Sequence, residues 1–274
     1  MIRDANQIFL LAYDLTYTNL LDFPFKTWLN SDTKYLEFLD TIPCFAKEIK
    51  FDEFYKNNTV RYKKYVDTVK ADLEARSKTD IVSFLNNYYN IPTSKKYVIN
   101  LLPTVSYYWY GTKNSKEIHS NIPITPDSTS DENLFYNYNY LNSVLSMIHH
   151  EFSHSFINPL TDKHELIKND NPIFSGIAEQ MKALGYDTNY KIINEHIIRA
   201  ATIRYAAITF PDKDYHLELT KYERKNGFAY IDAILEALVI YENNRDIYPN
   251  IDVYYPKIID SMVNENKKKS NREK

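Results

Sequence analysis

Through most of the chain, apolar residues recur three or four positions apart, the spacing of a helix with one buried face. Asp4 and Gln7 form a capping box ahead of Ile8, Leu11 and Leu15, which predicts a first core helix. After a loop at Phe23-Pro24-Phe25, a second helical piece is expected from Thr33 to Leu39, bounded by Pro43. From Asp52 to about Ala75, Tyr62, Tyr65, Val66, Val69 and Leu73 make one stripe with Lys63, Lys64 and Lys70 elsewhere, so a long amphipathic helix is predicted. Thr79 or Asp80 caps a shorter helix that ends before Ile91-Pro92.

Between Lys95 and Thr125 the pattern changes. Tyr97, Val98, Ile99, Val105, Tyr107, Tyr108, Trp109 and Tyr110 favour strands, Gly111-Thr112-Lys113-Asn114 reads as a turn, and Ile118 to Ile124 as another extended piece. A small sheet is expected there, followed by a loop over Pro126 to Glu132.

The helical period then returns. A helix beginning between Asp131 and Asn139 runs to Phe156 or Ile157, with Leu141, Val144, Leu145, Ile148, Phe152 and Phe156 on a core side. Met147, His150, His154 and Asn158 lie on a second side facing a cleft, and Pro159 is the expected stop. Asn171-Pro172 opens a helix striped by Ile173, Ile177, Met181 and Leu184 and ended by Gly185.

A long helix from about Thr188 to Ile208 turns Ile193, Ile197, Ala200 and Ala207 inward, with Glu195, Arg199 and Thr202 on another face. Asn226-Gly227 is a turn, Phe228 to Tyr241 is helical, and a short last helix spans Tyr254 to Val263. The fold class is α+β, predominantly helical, with a small sheet before the central helix. A divide near Asn90 to Ser94 separates a helical N-terminal subdomain (1–92) from a catalytic core (93–263), and the charged stretch 264–274 is expected to be disordered.

Composition narrows the class. At 274 residues, 44% hydrophobic and 25% charged, the chain can bury a full core, and a formal net charge of -3 gives no clustered basic surface for nucleic acid. One cysteine, Cys44, allows neither an intrachain disulfide nor a cysteine zinc site. Four glycines rule out a phosphate-cradling glycine loop, and no segment reaches the roughly 20 apolar residues of a membrane span. Asp14 interrupts the apolar run after Arg3 and Asp4 too early for a signal peptide. The chain as written is expected in the cytoplasm, or in the envelope or outside the cell where a leader has been removed.

The candidate chemistry lies on the central helix. His150-Glu151-Phe152-Ser153-His154 has the form H-E-x-x-H, which on a helix stacks two imidazoles one turn apart with a carboxylate beside them. That arrangement suits one Zn2+ ion per chain, held by His150 and His154. Glu151 then acts as the base that takes a proton from water and returns it to a leaving amine. The extended form with a third histidine is excluded, because Ile157 stands at its glycine and Leu160 at its histidine. The third ligand is open among Glu195, His164, Glu165 and Glu179. Arg199 could orient the Glu195 carboxylate or bind a substrate carboxylate; His196 and Tyr205 are candidates to stabilise an oxyanion, and His149 points away from the ligand face.

The run H-E-F-S-H-S-F-I-N-P at His150 to Pro159, with N-E-H-I-I-R-A at Asn194 to Ala200, resembles an uncharacterised bacterial family of zincin-like proteins described as metallopeptidases. The N-E pair is similar to the one that carries the metal-binding glutamate in glutamate-liganded zincins (gluzincins). The resemblance implies a zincin-like fold, Glu195 as third ligand, and a zinc metallopeptidase that hydrolyses a peptide or protein substrate lying along a strand of the Lys95 to Thr125 region. The competing expectations are a catalytically inactive binding or scaffold protein, whose structural metal is closed by a fourth ligand such as His164, and a zinc hydrolase of a non-peptide amide.

Overall fold

In the computed structural model the predicted Asp52–Ala75 helix runs over Phe51–Arg76 (α1). The structure describes residues 41, 44–76, 79–102, 110–113, 116–123, 140–167, 172–212 and 214–272. The helices expected at Asp4–Leu15 and Thr33–Leu39, and the loop at 126–132, lie outside them. The chain divides into two compact units, Met1–Lys64 and Tyr65–Lys274. In the first, Phe51 and Tyr55 stack at 6.3 Å, Tyr55 and Tyr62 follow at 6.1 Å, and Cys44 is exposed. Along α1, Tyr65, Val69 and Leu73 are buried as the stripe predicts, whereas Val66 is exposed.

The second unit holds the site. Helix α2 (Ile81–Tyr89) starts at Asp80, whose side chain accepts from the Ser83 N–H at 2.8 Å, and ends at Asn90 in the left-handed conformation. Phe84 packs edge-on against Tyr205 at 4.9 Å, and Tyr89 stacks on Phe156 at 4.7 Å. Both contacts join α2 to the core of this second unit.

Strands β1 (Lys96–Leu102), β2 (Tyr110–Lys113) and β3 (Glu117–Pro123) form a sheet of order β1-β3-β2. β1 runs parallel to β3, Lys96 opposite Glu117, and β2 runs antiparallel to it, Gly111 opposite Ser120. The turn expected at 111–114 is therefore a strand over 111–113. Its glycine serves a close approach of backbone to a neighbouring helix instead of a reversal.

The central helix, α3 (Tyr140–His164), buries Val144, Leu145, Ile148, Phe152 and Phe156 as predicted. It does not stop at Pro159. That proline removes one N–H from the ladder, yet Ile157 and Leu160 are buried on either side of it and Thr161 donates to Asn194 Oδ1, so tertiary packing carries the helix on. Each such side chain stabilises by about 1.5–3 kcal/mol on full burial, enough to offset one lost backbone bond.

The next predicted helix is a 3-10 turn, Pro172–Ile177, and then a short helix α4 (Ala178–Ala183). Met181 is buried, Leu184 is exposed contrary to its place in the stripe, and Gly185 ends the element at φ 95°. Helix α5 (Asn189–Thr209), capped by Thr188, lies between α3 and α7 (Ile231–Asn243) and is buried nearly all round, with Ala207 half-buried. Helix α6 (Tyr215–Lys225) has no counterpart in the apolar pattern: its buried residues are Thr220 and Glu223, while Leu217 and Tyr222 are exposed.

The last helix, α8, spans Ile251–Arg272, so the disorder expected from residue 264 is corrected through Arg272. The charged stretch is held from its side: Asn266 accepts from the Tyr230 hydroxyl at 2.9 Å, and Lys269 donates to the Ala229 carbonyl at 2.6 Å. Deleting residues 264–274 is expected to lower stability against denaturant by about 1–2 kcal/mol, from two hydrogen bonds and a cation over the Tyr230 ring. An undocked tail would leave the unfolding midpoint unchanged.

Candidate metal site

Helix α3 turns His150 and His154 to one side, and α5 brings Glu195 against both. Nε2 of His150 is 3.6 Å from Oε2 of Glu195, and Nε2 of His154 is 3.5 Å from Oε1. The rings stand at 77° with centroids 5.1 Å apart; His150 and Glu195 are buried and His154 is half-buried. One ligand atom from each of the three lies within 4.8 Å of the others, so the group could hold a metal ion. Among the described residues no other group of His, Cys, Asp and Glu converges in this way. The separations exceed the roughly 2.7–3.2 Å of an N–H···O hydrogen bond. They suit the edge of a coordination tetrahedron, where ligands about 2.0–2.2 Å from the ion stand roughly 3.3–3.6 Å apart.

Local electrostatics leave the His150 lone pair available at that point. Burial, and then the neighbouring His154 and Arg199, hold His150 well below the usual imidazole range, so its ring is neutral. His154 Nδ1 lies 3.2 Å from Asn158 Oδ1, and in the tautomer in which Nδ1 donates there, Nε2 turns a lone pair toward Glu195. Asn158 is one turn beyond His154 on the same face, and its Oδ1 favours the tautomer in which Nε2 can ligate.

Glu151 is buried beside the group. Burial and the nearby Glu195 carboxylate push its carboxyl up to about 8, while a hydrogen bond from the Gly111 N–H works in the opposite direction. Strand β2 thus touches α3 at the motif's own glutamate. A Cβ at position 111 would sit 3.0 Å from the Glu151 carbonyl oxygen and 3.1 Å from its Oε2, tighter than an ordinary contact, so a larger residue there would require Glu151 to give by a few tenths of an ångström.

Arg199 lies one turn after Glu195 and donates from Nε to Glu195 Oε2 at 3.2 Å. Its Nη1 binds both oxygens of Glu223 at 2.8 and 3.0 Å, its Nη2 donates to the Tyr186 hydroxyl at 3.1 Å, and its Cζ lies over the Phe228 ring, 4.3 Å from the centroid. The guanidinium is committed to protein partners, which places it with the carboxylate-orienting alternative. Gly111, Tyr186 and Glu223 have no signal in the sequence pattern.

The rival ligands lie elsewhere. His164 Nε2 is 2.8 Å from Asp252 Oδ1 and its ring stacks on Tyr255 at 5.2 Å. Glu165 follows the end of α3 at φ 43°, and Glu179 is exposed on α4. His149 is buried with Nδ1 3.0 Å from Thr202 Oγ1 and its ring stacked on Tyr205 at 4.6 Å; burial lowers it to about 3. His196 is likewise buried, lowered to about 3, and bonds the Ile192 carbonyl at 2.8 Å beside Phe228 and Tyr230. The oxyanion role considered for His196 and Tyr205 therefore falls on two core side chains, neither within the metal-capable group.

Fold and site together define a predominantly helical α+β protein with a two-histidine, one-glutamate group on two packed helices. Residues 25–261 match the family described as Domain of unknown function (DUF4932), and the chain belongs to that family. No curated protein and no solved structure matches it. Among the described residues no helix is long and apolar enough to cross a membrane.

Gly111→Ala forces either β2 or Glu151 to move, and it is expected to cost about 1–3 kcal/mol of stability in denaturant unfolding. A melting curve identical to the wild type's would mean that the strand does not bear on Glu151.

Proposed function

We propose that this protein is a zinc-dependent peptidase of zincin-like type, with His150, His154 and Glu195 as ligands and Glu151 as general base and acid. One observation carries the reading: Nε2 of His150 and Nε2 of His154 stand 3.6 and 3.5 Å from the two oxygens of Glu195, beyond ordinary hydrogen-bond length, beside the buried Glu151 carboxyl on the same helix turn. Two imidazoles and one carboxylate are a donor set that zinc takes in hydrolytic sites.

A zinc ion held there supplies Lewis acidity to a peptide carbonyl and lowers the pKa of water. Glu151 takes the proton from the attacking water and delivers it to the departing amine. Asn158 favours the ligating tautomer of His154, and the Gly111 N–H orients Glu151 from the side of β2. β2 is the end strand of the described sheet and borders Glu151, which favours an extended peptide laid along it. A structural metal site would need a fourth protein ligand, and His164, the expected one, is paired with Asp252.

Purified protein is expected to carry one zinc per chain by elemental analysis. Glu151→Gln should keep the metal and lose hydrolysis by about 10²–10⁴-fold, whereas Glu195→Gln should lose the metal. Protein prepared without chelator that takes up no zinc would sink the proposal, and so would a Glu151→Gln variant that cleaves peptides at the wild-type rate.

A further inference from the structure

Behind Glu195 lies a buried charge arrangement that the proposed chemistry does not itself use. Arg199 alone would hold Glu195 as a simple ion pair and compete with a cation for its lone pairs. It is not alone. Glu223, on α6, grips Nη1 through both oxygens, and the Tyr186 hydroxyl, which also lies against the Glu195 carboxylate, takes Nη2. Phe228 covers the face of the guanidinium. The plane is thereby fixed on three sides, and Nε meets only one Glu195 oxygen, Oε2, leaving Oε1 directed at His154. Glu223 and Glu195 share a single positive charge inside the fold, so each moderates the pull of Arg199 on the other.

From this geometry we propose that Glu223 is a positioning residue for the metal ligand Glu195, acting through Arg199, with Tyr186 as its accessory. Losing Glu223 leaves the whole guanidinium charge on Glu195, which weakens that carboxylate as a donor and frees it to turn. The inference rests on the metal-binding part of the proposed function and is independent of what substrate is cleaved.

The test is zinc affinity, measured on the full chain after chelator stripping by competition with a chromophoric chelator, with the visible absorption of bound Co2+ as a second readout. Glu223→Gln is expected to weaken zinc binding about 10–100-fold and to shift the Co2+ bands. In an Arg199→Gln background the same change should alter affinity less than about threefold, because its route is gone. An equal loss in both backgrounds, or affinity and spectrum unchanged in Glu223→Gln, would overturn the proposal, since a residue that only packs would alter the melting temperature alone. Should Glu223→Gln not fold, Tyr186→Phe decides: several-fold weaker zinc and a shifted spectrum support the clamp, and wild-type values overturn it. Wild-type protein that binds no zinc overturns the metal reading itself, before any variant is compared.

Discussion

The apposition of α3 and α5 is the constraint on which the site depends. Two histidines a turn apart are a local feature of one helix, but the third atom comes from a helix that reaches them only through the loop, the 3-10 turn and α4. The register is set by buried residues on both helices, among them Ile148, Phe152 and Ile157 on α3 and Ile193, Ile197 and Ala201 on α5. Two polar contacts fix it further. Thr161 donates to Asn194, the residue before the candidate ligand, and shares a hydrogen bond with the Tyr255 hydroxyl at 2.6 Å; His149 meets Thr202 at 3.0 Å. A slip of one helical turn, about 5.4 Å, would carry Glu195 out of reach of both imidazoles while still burying apolar surface. The polar contacts forbid that slip, because each would leave a buried group unpaired.

The same reasoning explains why α5 has no clear amphipathic stripe. It is covered by α3 on one side and α7 on another, with α6 alongside, so its isoleucines and alanines are buried around most of its circumference. Several polar residues there are held by partners: Asn194 by Thr161, His196 Nδ1 by the Ile192 carbonyl, Thr202 by His149 and Glu195 by Arg199. A helix that buries this many polar groups in a small core is shaped by the site as much as by packing.

Legibility in the sequence followed the range of the interaction. His150, His154 and the core side of α3 were readable because helical spacing is a property of neighbours in the chain. Strands β1 and β3 are readable from their β-favouring residues, but β2 reads as a turn at Gly111, since a glycine that brings a strand close to a helix leaves the same letter as one in a reversal. Pro159 looked like a stop because its local cost is visible in sequence and the burial of Leu160 beyond it is not. Helix α6 is weakly marked by apolar periodicity, because Tyr215 and Leu219 are its only apolar residues packed against the core and its fully buried ones are Thr220 and Glu223. The charged end of α8 resembles a solvated tail, and only the positions of Tyr230 and Ala229 give Asn266 and Lys269 something to hold.

Charge accounting ties these pieces together. With the buried imidazoles of His150, His149 and His196 neutral, the cation facing Glu195 and Glu223 is Arg199, and Glu151 adds a third carboxyl close to Glu195. Buried carboxylates gathered around one guanidinium are unfavourable by themselves, since desolvation of each is only partly repaid by that partner. Evidence of the strain is the upward push on Glu151 and on Glu223 from burial. A divalent cation between Glu195 and the histidines would supply the missing positive charge at the group that could hold it, and it would make the gathering of acids in a core intelligible.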